Sequence, residues 1–152
     1  MAGIDRVGHV VLWVSEVAKQ VAFYRDVVGM QIVNFDEEKG EAFMSFGTQH
    51  HDIGLFKDKG GDSRGSLGLA HIAFHMPGDQ DELRQMHERM RDAGARIDRT
   101  TDHGMTLSVY FLDPEGNRLE VYTDSLAADE GLAFMRENGG LMKTLDLEKA
   151  AT

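Results

Sequence analysis

The sequence predicts an α+β domain built from two βαβββ modules. Three observations predict it: an internal repeat, a helix pattern after each copy, and three β-prone runs after each helix. Gly8-His9-Val10-Val11-Leu12-Trp13-Val14 resembles Ala70-His71-Ile72-Ala73-Phe74-His75-Met76, each a short β-prone run with His in second place. His9 and His71 lie 62 residues apart, too far for a solenoid repeat and suited to two fused half-domains.

The first helix is expected to start near Ser15, a good N-cap residue. Val17, Val21, Tyr24 and Val28 fall on one face, and Gly29 can take the left-handed conformation that ends a helix. In the second copy, Asp79 and Glu82 have the spacing of a capping box. Leu83, Met86, Met90 and Ala93 give its buried face, and Gly94 stops it. Strands are expected at 31–35, 42–46 and 52–56 in the first copy and at 95–98, 107–112 and 118–122 in the second. Asp113-Pro114-Glu115-Gly116-Asn117 is a turn signal before the last of these, because Pro presets φ and Gly tolerates φ > 0. Lys57–Ser66, rich in Gly, Lys and Asp, is read as the linker. The domain is expected at 1–125, with modules at about 5–57 and 67–124, and a helical tail at 126–152. The helix in the tail is read over Leu126–Glu137, stopped by Gly139-Gly140.

Composition narrows the function classes. Sixteen Lys+Arg against 26 Asp+Glu leave a formal charge of −10, which repels phosphate backbones and anionic membrane surfaces. Nucleic acid and membrane are therefore not expected as partners. The absence of cysteine excludes disulfides, thiolate metal sites and a cysteine nucleophile. No apolar run approaches the ~18 residues of a transmembrane helix, and Met1–Arg6 has no signal-peptide pattern, so a cytoplasmic protein is expected. The apolar positions Leu126, Leu132, Phe134, Met135 and Leu141 in the tail suggest a homo-oligomer.

Any metal must be held by His, Asp or Glu, and there are seven histidines. His9 and His71 occupy equivalent strand positions. Glu120 sits between Leu119 and Val121 and points the opposite way from both. Two His and one carboxylate from three strands fit the facial triad of non-haem Fe(II) sites, which leaves positions for substrate and dioxygen. A histidine in a strand is more often packing or surface than ligand, and the repeat equivalence is what lifts this pair above that reading.

The stretch from Thr101 to Glu120 is more specific. His103 precedes Tyr110 by seven residues, Val109 stands before the tyrosine, and Asp-Pro-Glu-Gly leads to Glu120. This pattern resembles the signature of type I extradiol ring-cleaving dioxygenases (catechol 2,3-dioxygenase-like) of the vicinal oxygen chelate superfamily. The resemblance covers residues 5–124 and implies that the paired βαβββ modules form one vicinal oxygen chelate, or glyoxalase-like, domain. It implies that His9, His71 and Glu120 hold Fe(II), with Mn(II) equally suited to the ligand set. It implies that His103 lies near substrate and oxygen, and that the Tyr110 hydroxyl contacts a substrate oxygen. The run Gln49-His50-His51-Asp52-Ile53 looks like the family's His-His segment, which would make His51 the acid–base residue. His50, as its strand neighbour, would face the surface. Simple core packing for Tyr110 and a solvated turn for His103 are the bland alternatives. His75 is read as a strand-end residue.

The activity implied is Fe(II)-dependent extradiol cleavage of a catechol with O2. Best-known members fuse two such domains, whereas this chain has one. Glyoxalases and epimerases share the fold but draw a fourth ligand from the last strand of the first module. The repeat partner of Glu120 falls around Ile53–Leu55, where no carboxylate or amide stands, and Asp52 is out of register. A metal-free binding protein of the bleomycin-resistance kind is the other alternative.

Overall fold

The computed structural model describes residues 2–26, 29–58, 67–112 and 116–148. Its elements run β1 (Arg6–Val14), α1 (Val17–Asp26), β2 (Gln31–Asp36), β3 (Glu41–Ser45), β4 (Ile53–Lys57), β5 (Gly68–His75), α2 (Gln80–Asp92), β6 (Arg96–Asp102), β7 (Thr106–Leu112), β8 (Arg118–Asp124), α3 (Ala128–Asn138) and β9 (Lys143–Thr144). The βαβββ order therefore occurs twice. The chain divides into two compact units, one of His9–His71 with Ala128–Gly139, the other of Met1–Gly8, Ile72–Ala127 and Gly140–Thr152.

In the first of these the strand order is β2-β3-β4-β1. β1 and β4 are parallel, while β3 is antiparallel to both β4 and β2. The directions follow from connectivity. A helical crossover returns the chain so that β2 runs with β1, and two reversals then bring β4 parallel to β1. Val17 and Val21 of α1 close over Val14, Met30, Ala42, Met44 and Leu55 as a core, with Tyr24 packed against it. Val28, expected on the same helix face, lies outside the described residues. The helix starts one residue later than Ser15 would dictate: Gln20 N–H donates to Glu16 O, which puts Glu16 at the cap position. α3 packs on β2, where Asn34 Nδ2 donates to Arg136 O at 3.3 Å.

The other unit repeats the pattern with strand order β5-β8-β7-β6-β9. β5 and β8 are parallel, and the remaining pairs are antiparallel. α2 carries the capping box read from the sequence: the Asp79 side chain accepts from Asp81 N and Glu82 N, and Glu82 answers to the Asp79 N–H. Such a cap is worth about 0.5–2 kcal/mol. Leu83 is fully buried with Met76, Val109, Val121 and Leu147, and Met86 and Met90 pack on the edge of this core.

Several expectations are corrected. Ala93 is the C-cap of α2 and exposed, so it does not belong to the buried face. Phe46 lies outside β3 and is exposed. The five tail residues that suggested an oligomer are not left open, although Met142 is: Met135 is buried, and Leu126, Leu132, Phe134 and Leu141 are half-buried within the chain. The motive they gave for a homo-oligomer falls away. Most of the expected linker, 59–66, and the turn residues 113–115 lie outside the described residues. Among the described residues, no helix is long and apolar enough to cross a membrane.

Candidate metal centre

His9 on β1 is buried, and the ring of His71 on β5 meets it edge-on, with centroids 5.6 Å apart at 83°. Glu120 on β8 is 1% exposed, a position where a carboxylate is costly unless it has partners. One of these is Ser108, whose hydroxyl donates to Glu120 Oε1 at 2.7 Å. Ser108 and Tyr110 lie two residues apart on one face of β7, and Tyr110 pairs directly with Glu120. His9, His71 and Glu120 each offer one ligand atom, and these atoms lie within 4.8 Å of one another. Two imidazoles and a carboxylate are the donor set of a divalent first-row metal, so these residues fit a metal ion.

The internal symmetry locates what is missing from a fourth position. The 62-residue offset takes Val11 to Ala73. Val11 pairs with Gly54 on β4, and Ala73 pairs with Glu120 on β8. Gly54 is thus the counterpart of Glu120 and brings no side chain. Asp52, the nearest carboxylate, is engaged otherwise. Its Oδ2 accepts from Phe46 N at 2.7 Å and its Oδ1 from Gln49 Nε2 at 2.5 Å.

Those bonds build the 46–52 loop, together with Ser45 Oγ donating to Gln49 O and Asp52 N donating to Met44 O. The loop carries His50 and His51. Both are buried, each 5% exposed, which corrects the placement of His50 on the surface. The alternation rule did not apply because the pair sits before β4, not in it. Their Nδ1 atoms lie 2.5 Å apart, one donating to the other. The His51 ring is 4.2 Å from that of His9 and edge-on to Phe43 at 5.3 Å.

His103 stands at the β6–β7 hairpin, its N–H donating to Thr106 O. Its ring is no solvated turn residue. Nδ1 faces Leu141 O at 2.6 Å and Nε2 faces the Tyr110 hydroxyl at 3.0 Å. Tyr110 is buried, and burial foremost, then the negative charge of Glu120, pushes its hydroxyl well above the ordinary tyrosine range. The Arg99 guanidinium lies 4.1 Å over the Tyr110 ring and pulls in the opposite direction. Sequence reading missed Ser108, Arg99 and the Leu141 carbonyl. Ser108 alone had a signal, its spacing of two from Tyr110.

At the other end of β5, His75 is also buried. Its Nδ1 meets Asp5 Oδ1 at 2.7 Å and its Nε2 meets Asp124 Oδ2 at 3.0 Å. This is the strand-end residue read from the sequence, and it ties the chain's first residues to the end of β8.

The model of one family, described as the Glyoxalase/Bleomycin resistance protein/Dioxygenase superfamily, matches residues 6–121. The chain is 33% identical over 134 residues to biphenyl-2,3-diol 1,2-dioxygenase 3 of Rhodococcus globerulus, covering 86% of this chain and 69% of that protein. It is 27% identical over 135 residues to the metallothiol transferase FosB of Staphylococcus epidermidis, covering 88% and 93%. Among solved structures it is similar to catechol 2,3-dioxygenase, at 26% identity and a TM-score of 0.67 over 82% of this chain. It spans 40% of the length of that solved chain. The repeat first seen in the sequence, the twofold βαβββ order and the match over residues 6–121 agree: the chain belongs to the Glyoxalase/Bleomycin resistance protein/Dioxygenase superfamily.

Proposed function

We propose that this protein is an Fe(II)-dependent extradiol dioxygenase that opens a catechol ring with O2. The observation that carries the reading is the ligand group itself. His9, His71 and Glu120 converge, and Gly54 stands where a fourth ligand would come from. Three protein ligands leave room on one metal for both catechol oxygens and for dioxygen. Mn(II) suits the same set.

Bound Fe(II) would supply Lewis-acid activation of the catechol oxygens and electron transfer toward O2. The remaining work belongs to side chains. His51 accepts a proton from a substrate hydroxyl and returns it at the end of the reaction. His50, bonded to it through the Nδ1 atoms, orients that ring. Tyr110, kept protonated by its surroundings, turns its hydroxyl from His103 to a substrate oxygen when substrate is bound. His103, once it takes up a proton at Nε2, donates to the oxygen delivered to the ring. Both atoms of O2 end in the ring-opened product. We place the protein in the cytoplasm and as a homo-oligomer, the latter now on the exposed Ile4, Val7, Leu67 and Leu69.

A second reading, metal-dependent transfer of a thiol, is favoured by the match across 93% of the FosB relative. It uses the same ligands but gives the His103–Tyr110 pair no task. Metal analysis with a panel of catechols decides between the readings. Stoichiometric iron with oxygen uptake supports the dioxygenase. Metal binding with thiol transfer or hemithioacetal isomerisation, and no oxygen uptake, supports a transferase or glyoxalase type. No metal at all supports a binding protein.

A further inference from the structure

We infer that the segment after α3 is a strap that positions His103 through the Leu141 carbonyl, holding the ring as its Nδ1–H tautomer with Nε2 turned to Tyr110. A carbonyl oxygen only accepts, so the 2.6 Å bond to Leu141 O places a hydrogen on Nδ1. In the neutral ring Nε2 is then an acceptor, and the Tyr110 hydroxyl donates to it at 3.0 Å. The ring is fixed at both nitrogens and has one orientation.

The strap is itself anchored, which makes it a positioning element and not a loose end. β9, Lys143–Thr144, adds to the outer edge of β6 against Asp102 and Thr101. Thr100 grips the next residue twice: its hydroxyl donates to Leu145 O at 2.6 Å, and its carbonyl accepts from Leu145 N at 3.3 Å. Leu147 then inserts into the core beside Leu83 and Val109. Three successive attachments over Lys143–Leu147 thus fix the height of Leu141 above the hairpin that carries His103. The hairpin is pinned independently, by Gly104 N donating to Asp102 Oδ1 at 2.7 Å. The family match stops at residue 121, so the strap itself lies beyond the matched region, while His103 and Tyr110 lie within it.

The contribution to turnover rests on the dioxygenase reading, and the tautomer does not. The test is nitrogen NMR of the full chain labelled at histidine ring nitrogens and loaded with diamagnetic Zn(II), with His103 assigned by comparison with His103→Gln. The expected result is a protonated Nδ1 and an unprotonated Nε2 at mildly alkaline pH. A protonated Nε2, or the averaged shifts of a mobile ring, overturns the inference. Thr100→Val and Lys143→Pro each loosen the strap while leaving Leu147 in place. Both should bring His103 to averaged shifts, and retained shifts in both would overturn the strap's role. In the Fe(II) form they should lower kcat by about 10–100-fold with KM and iron content held. A wild type with the fixed tautomer that turns over no catechol confirms the strap and refutes the dioxygenase reading instead.

Discussion

Gly54 and Glu120 occupy the same position in the two modules, one opposite Val11 and the other opposite Ala73. The repeat is therefore symmetric in backbone and asymmetric in chemistry. A side chain at Gly54 would start 3.2 Å from Val11 Cγ2 and 3.3 Å from Phe56 Cε2, close but not blocked. Gly54→Glu should cost about 1–3 kcal/mol in overpacking. It should retain or tighten divalent metal binding and abolish oxygen uptake, since a fourth ligand takes a position that substrate or O2 needs. Metal titration and an oxygen electrode check this, and wild-type turnover in the variant would count against the three-ligand account.

Ser108 should matter to the metal without touching it. Its hydroxyl donates to Glu120 Oε1, and groups that orient a ligand commonly contribute about 10–100-fold in affinity. Ser108→Ala should weaken metal binding by that factor in a competition with a chromophoric chelator. Its stability to thermal unfolding without metal should also fall, by about 1–3 kcal/mol, because the buried carboxylate loses a donor, so affinities are compared where both forms are folded.

Gly8→Ala tests the packing beside His9. A Cβ at Gly8 would stand 2.1 Å from the Tyr122 hydroxyl oxygen and 2.3 Å from Cε1, and Tyr122 is 1% exposed with no room to retreat. The expected loss is about 1–3 kcal/mol. At about 2–4 °C per kcal/mol for a chain of this size, calorimetry resolves it.

Asp5 gives an acid limb to stability. Its hydrogen bond to His75 holds its carboxyl below the ordinary 3.8, with the charges of His75 and Arg6 acting in the same direction. A depressed carboxyl contributes stability that is present above the unfolded-state value and lost as pH falls through the folded one. Asp5→Asn should therefore lower the urea midpoint at pH 6, and the gap to wild type should close below pH 3.8. An unchanged gap at low pH would show that Asp5 acts through packing instead.

Much of the fold and part of the site were legible because their signals are local or repeated. His9 and His71 stood out through a common offset, and Glu120 through its spacing from Tyr110. The capping box at Asp79 and Glu82 was read to the residue, since a cap is satisfied within four residues. What escaped depends on tertiary placement. β9 is two residues long and has no alternation to detect. Leu141 enters the site through its backbone, which no side-chain pattern reports. His50 was misplaced because strand alternation was applied to a loop that Asp52 closes. Arg99 on β6 stands opposite Tyr110 on β7, a pairing fixed only once the β6–β7 register, with its irregularity between Ile97 and Arg99, is known.

Oxygen consumption by the iron-loaded protein with a panel of catechols, under 18O2, decides whether it is an extradiol dioxygenase. The expected result is one O2 per catechol, both labelled atoms in a yellow ring-opened product, and a fall of about 10²–10⁴ in rate for Tyr110→Phe at unchanged iron content. Stoichiometric Fe(II) on His9, His71 and Glu120 with no catechol consumed, or label in only one product oxygen, would contradict it.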